Sequence, residues 1–118
     1  MSQYRIAVAT ADGKKVDQHF GSASGITIYI VDDGRYEVEK TLSFDGGGIC
    51  SGDHGDIYEK LEAVADCRYI IAAKIGGKVQ RYFESRRQKY FEMPDSDTDY
   101  VVGKIARYKA GAAILKSI

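Results

Sequence analysis

The chain of 118 residues has one proline, two cysteines and two histidines. A single proline is too few for a linker-rich chain. No apolar run approaches the ~20 residues that a membrane helix needs. Residues 1–5 lead straight into a strand-like segment, with no apolar core of a secretory signal. Two cysteines without such a signal predict reduced thiols and a cytoplasmic setting. An excess of charge of one sign is also missing: 17 basic residues stand against 17 acidic ones. That balance argues against a protein built mainly to hold nucleic acid. At 44% hydrophobic and 29% charged, the composition is globular rather than disordered. The length suits a single domain over residues 1–118 with one modest core.

The neutrality is a sum of unlike parts. Residues 1–67 carry a net charge of −6, residues 68–90 a net +6, and residues 91–118 balance. The positive block consists of Arg68, Lys74, Lys78, Arg81, Arg86, Arg87 and Lys89 against Glu84 alone. It reads either as a solvated helix face or as the surroundings of an anion.

Hydrophobic patterning gives the order β-β-β-α-β-α-β-α. Residues 4–10 and 25–31 are short, apolar and rich in β-branched side chains, as buried strands are. Asp33-Gly34 is a hairpin signal, and residues 35–44 alternate, with Tyr36, Val38, Leu42 and Phe44 assigned to one face. A glycine-rich loop over 45–55 follows. Ile57, Leu61, Val64 and Ala65 then make a helical stripe, with Asp56 as the expected N-cap, Glu59 completing a capping box and Cys67 at the end. Residues 68–73 and 89–93 read as strands, with a helix carrying Val79, Tyr82 and Phe83 between them. Asp97 or Thr98 caps a last helix, whose shared side holds Val101, Ile105, Tyr108 and Ala112. A meander followed by βαβ crossovers predicts an α/β fold: a five-stranded mixed sheet with helices on its faces. Three segments, residues 11–21, 45–55 and 74–77, should converge at the carboxyl end of the strands, where open α/β sheets bind ligands.

Both histidines fall in those loops, His19 within Val16-Asp17-Gln18-His19-Phe20-Gly21 and His54 before Gly55. Cys50 stands four residues before His54. Thiolate and imidazole together are ligands for zinc, copper or metal–sulfur clusters. The spacing fits no zinc finger, so an open site for a preformed cluster is the metal reading. The plain alternatives are a capping His54, a His19 bonded within its own loop with Asp17 fixing the turn, and a packed Cys50. Cys67, between a helix and a core strand, is expected to be buried and inert. The glycines 46–48, Gly47 and Gly48 among them, either make a turn or let backbone N–H groups approach an anion. Lys74-Ile75-Gly76-Gly77 opens the second helix with unpaired N–H groups, a modest anion-site signal that Lys74 and Lys78 strengthen. It is neither a P-loop nor a dinucleotide fingerprint.

Val16-Asp17-Gln18-His19-Phe20-Gly21, the glycine loop ending in His54-Gly55, and Asp66-Cys67 leading to Lys74-Ile75-Gly76 together resemble the dinitrogenase iron–molybdenum cofactor biosynthesis family, over roughly residues 4–110. The resemblance implies a ribonuclease H-like fold. It also implies non-enzymatic carriage of an anionic metal–sulfur cluster: iron–molybdenum cofactor, its iron–sulfur precursor or a related molybdenum cluster. It puts His19 and His54 near the cluster site and Cys50 where some members have a cysteine, all three as ligands or their immediate supports, and Gly21, Gly47, Gly48, Lys74, Gly76 and Gly77 around the cargo. This chain lacks a further cysteine that some carriers have in the glycine loop. The implied partners are cluster donor and acceptor proteins, with no nucleic acid or membrane, and the chain itself a monomer or weak dimer. Two other functions compete. One is a metal-free regulatory or phosphorylated-ligand module using the Gly76 turn. The other is a ribonuclease H-like nuclease, disfavoured because Ile6-Ala7-Val8-Ala9 offers no carboxylate for two-metal chemistry.

Overall fold

The computed structural model describes residues 3–32, 35–43 and 54–110. Five strands form one mixed sheet: β1 (Gln3–Ala9), β2 (Gly25–Asp32), β3 (Arg35–Ser43), β4 (Tyr69–Ala72) and β5 (Lys89–Glu92). Their spatial order is β3-β2-β1-β4-β5. The first three strands pair antiparallel, while β4 lies parallel to β1 and β5 parallel to β4. The described residues also form three helices: α1 (His54–Ala63), α2 (Gly77–Ser85) and α3 (Thr98–Ala110). Among the described residues no helix is long and apolar enough to cross a membrane.

Alternation along β1 builds two cores. Ala7 and Ala9 join Ile26, Ile28, Ile70 and Ala72 on the face that also packs Leu61 and Val64, at and just beyond the end of α1, and Phe83 of α2. Ile6 and Val8 join Tyr29, Val31 and Ile71 on the face covered by Val101, Val102, Ile105 and Ala106 of α3. Each such large side chain taken out of water contributes about 1.5–3 kcal/mol before chain entropy is counted. Cys67 is buried, and burial pushes its thiol up to about 12. The burial expected of it holds. Gln88 joins the end of α1 to the start of β5, its amide donating to the Val64 and Cys67 carbonyls at 2.8 Å each.

Two expectations are corrected. Asp56 does not cap α1, because the helix already runs from His54 and Asp56 falls inside its first turn. The single face assigned to β3 is also broken. Tyr29 pairs with Val38 and Ile28 with Lys40, so Glu39 is an extra residue in a bulge. The bulge leaves Tyr36 against the α3 core and turns Leu42 to the other one. Glu39 spends its carboxylate on Arg5, at 2.6 and 2.9 Å. Phe44, Gly111 and Ala112 lie outside the described residues, as do Asp33-Gly34.

Two glycines are fixed by close approach. A Cβ on Gly103 of α3 would stand 3.1 Å from the Tyr36 hydroxyl, which donates to the Asp99 carboxylate at 2.9 Å. A Cβ on Gly25 would stand 2.8 Å from the Thr10 carbonyl oxygen. The latter contact is backbone and cannot swing aside. Gly25→Ala is therefore expected to cost about 1–3 kcal/mol, read as a lower urea midpoint with an unchanged slope. A midpoint equal to wild type would refute the steric reading.

Candidate functional site

The loop after β1 is built from its own polar groups. Asp12 accepts from the Lys14 and Lys15 N–H groups at 2.8 and 3.3 Å, and the Lys14 bond leads in holding its carboxyl below the usual range. Gly13 takes a positive φ of 80°, as a turn here requires. Asp17 accepts from the Ala11 N–H at 3.1 Å, and Gln18 accepts from the Ser24 N–H at 2.9 Å. The two polar residues before His19 therefore close the loop on either side of it.

The apolar residues of the same motif are anchors. Val16 and Phe20 are both fully buried, Val16 in the α3 core and Phe20 in the core under α1 and α2. The loop thus wraps over the carboxyl end of the sheet with one anchor on each side. Phe20 meets Phe83 edge-on, with ring centroids 5.4 Å apart.

Between these anchors His19 is exposed. Its backbone is pinned to the turn after β4. The Ala73 N–H donates to the Gln18 carbonyl at 2.9 Å and the Phe20 N–H to the Lys74 carbonyl at 2.9 Å. His19 and Lys74 are bridge partners in consequence. Among the described residues the His19 side chain has no hydrogen bond or ion pair. The alternative of a His19 bonded within its own loop is overturned, although Asp17 does fix the turn as expected.

The loop also meets α1. Gly21 lies against Ile57, whose Cδ1 would be 3.8 Å from an added Cβ. Lys60 donates to the Gly21 carbonyl at 2.8 Å and is 2% exposed. These contacts bring the start of α1, and the backbone of His54 with it, toward the His19 turn. Gly47, Gly48, Cys50 and the side chain of His54 lie outside the described residues.

The third segment leads into α2. Gly76 takes the N-cap position with φ −65° and ψ 158°, and no side chain caps the helix. A Cβ on Gly76 or Gly77 would meet nothing within 4 Å among the described residues. Neither glycine is demanded by the backbone. Glu92 qualifies the positive reading of this turn. Its carboxylate accepts the Ile75 N–H at 2.9 Å, so one donor is spent and one negative charge sits below the turn.

The basic block divides in two. Because α2 runs back against β4 and β5, Lys74 and Lys78 sit at the carboxyl end of the sheet, while Arg86 and Arg87 lie at the other end. Arg68 and Lys89 are there too, joined by the Lys89 N–H to the Arg68 carbonyl at 3.0 Å. Lys74, Lys78 and Arg81 are exposed, and among the described residues none of the seven basic side chains forms an ion pair. Two clefts among the described residues lie at β3 and α3. One is lined by Gln3, Asp32 and Arg35, the other by Tyr36, Asp97 and Arg107.

Lys60, Gln18 and Glu92 do not stand out in the sequence. A signal exists for Lys60, which lies three residues after Ile57 and four before Val64, on the buried stripe of the helix.

Comparison with known proteins adds the relationship. The chain is 33% identical over 73 residues to the NifX protein of Herbaspirillum seropedicae, covering 62% of this chain and 50% of that one. It is 32% identical over 75 residues to the FeMo cofactor biosynthesis protein NifB of Frankia alni, covering 60% of this chain and 15% of NifB. The chain thus spans about half the length of the NifX protein that it matches. Its fold is similar to the crystal structure of PH0822, with a TM-score of 0.65 at 18% identity over 86% of this chain and 88% of the other. The family described as dinitrogenase iron-molybdenum cofactor matches residues 2–110, and the chain belongs to that family.

Proposed function

We propose that this chain binds and carries an anionic metal–sulfur cluster, without catalysing a reaction on it, between donor and acceptor proteins in the cytoplasm. The cargo is iron–molybdenum cofactor, its iron–sulfur precursor or a related molybdenum cluster. The observation that carries the reading is His19: an exposed imidazole with no hydrogen bond or ion pair among the described residues, on a turn held by backbone bonds on both sides. An exposed imidazole without a bond to the described residues is suited to a metal ligand role. Lys74 beside it and the uncapped start of α2 favour an anionic cargo. Cys50 and His54 are the further ligands in this reading, with Gly21, Gly47, Gly48, Gly76 and Gly77 giving the cargo room. A carrier must also release what it holds, and one to three ligands plus electrostatics suit that better than four thiolates. The strand order and directions are in keeping with a ribonuclease H-like fold, while β1 has no carboxylate for nuclease chemistry.

The test is anaerobic titration with tetrathiomolybdate and with isolated iron–molybdenum cofactor, followed by visible absorption and metal analysis. A hundredfold excess over Kd should stabilise the protein by about 2.7 kcal/mol. The Cys50→Ala, His54→Ala double variant should bind at least about a hundredfold more weakly, beyond the 10–100-fold that loss of a merely orienting partner costs. Equal loading of that variant would remove both residues from the ligand set. The uncapped α2 start also favours a phosphorylated ligand. A melting shift with nucleotides or inorganic phosphate under metal-free conditions, and none with the clusters, would establish that function instead.

A further inference from the structure

We infer that Lys60 is a positioning residue for the cargo site, an assignment that rests on the cluster-carrier reading. Lys60 is 2% exposed and lies in the last turn of α1. Its ammonium donates to the Gly21 carbonyl at 2.8 Å, thirty-nine residues away in sequence. Helical side chains lean toward the helix N-terminus. The Lys60 stem therefore runs back along α1 toward the end where Ile57 meets Gly21 and where His54 begins the helix. This bond ties together the two elements that carry the histidines.

Apolar packing does not need this residue. Leu61 and Val64 already fill the core from the same stretch, with Ile57 packed against it. A lysine buried among them is costly to desolvate, and a hydrophobic residue of similar volume is often no less stabilising. The rest of the His19 turn is held from the other side, by the Ala73 and Phe20 N–H bonds to Gln18 and Lys74. Lys60 supplies the missing hold from α1. A ligand pair whose spacing is fixed in advance binds more tightly than one that must be ordered by its cargo.

The experiment compares wild type and Lys60→Met by anaerobic titration with tetrathiomolybdate, well below either melting temperature. Methionine keeps much of the stem and removes the donor. The affinity should fall about tenfold, the scale on which orienting partners act, whether or not the melting temperature moves. An affinity within twofold of wild type, with only the melting temperature lowered, would make Lys60 a structural residue and overturn the inference. If Lys60→Met does not fold, Lys60→Arg retains a cation and a donor. Near wild-type affinity then supports the assignment, and a tenfold loss in a folded protein overturns it. If wild type takes up no tetrathiomolybdate, the carrier reading fails on its own account. Lys60 is then judged by amide exchange: tenfold faster exchange at Phe20 and Ala23 in Lys60→Met supports its hold on the turn, and unchanged rates refute it.

Discussion

His19→Ala is expected to lower the affinity for tetrathiomolybdate or isolated iron–molybdenum cofactor about a hundredfold while hardly changing stability. Losing a group that merely orients a metal ligand costs about 10–100-fold, so losing a ligand itself belongs at or beyond the top of that range. The stability half follows from burial. His19 is exposed and its side chain has no hydrogen bond or ion pair among the described residues. The turn is held by backbone bonds through Gln18, Phe20, Ala73 and Lys74, which alanine keeps. Exposed positions of this kind usually change stability by no more than about 0.5 kcal/mol. Titration by absorption beside a thermal melt separates the two effects. A His19→Ala protein that loads like wild type would remove His19 from the ligand set and with it the main support for the carrier reading.

Much of this architecture is legible in the sequence because it depends on period and punctuation. Residues 4–10 and 25–31 announce central strands by their β-branched and small apolar content, and the parallel arrangement follows once helices alternate with strands. The misreadings have local causes. A bulge adds one residue without altering the alternation on either side of it, so Tyr36 and Leu42 look like one face although Glu39 separates them. Lys60 sits on the buried stripe of α1, but its charge suggests solvent. Its burial follows from a carbonyl of a distant loop, which no window of sequence contains. Glu92 is hidden in the same way, since its bond to Ile75 crosses from β5 to the turn after β4.

The site divides along the same line. The motif around His19 is legible as a unit, and the structure distributes distinct roles among its residues. Val16 and Phe20 anchor, Asp17 and Gln18 close the loop, and the His19 side chain has no hydrogen bond or ion pair among the described residues. A block of +6 in sequence is not a block in space, because a crossover helix carries its last turn away from the site that its first turn serves. Lys74 and Lys78 remain beside the proposed cargo. Arg68, Arg86, Arg87 and Lys89 are at the far end, where Arg68 lies over the Tyr4 ring and Arg86 over the Tyr82 ring. Net charge by segment therefore needs the direction of α2 before it can be assigned to a ligand.

Phe20→Ala should produce the largest loss of stability of any change in the His19 loop. Phe20 is fully buried and packs edge-on with Phe83 at 5.4 Å, in the core that includes Ala7, Ala9 and Ala72. Those alanines cannot extend into the space that a removed ring leaves. Truncation of a buried phenylalanine costs about 3–5 kcal/mol, a large part of the ~5–15 kcal/mol that stabilises a typical domain. For a chain of this length that corresponds to a fall in melting temperature of roughly 10–25 °C. Phe20→Leu keeps most of the volume and should cost less than about 1.5 kcal/mol. The functional consequence follows from the anchoring. Without the ring, the Phe20 N–H bond to the Lys74 carbonyl loses its support, and the His19 turn loosens even in molecules that remain folded. Cluster affinity measured well below the melting temperature should therefore fall in Phe20→Ala and survive in Phe20→Leu. A Phe20→Ala protein that melts within a few degrees of wild type would show that the motif's aromatic residue is not what fixes the loop to the core.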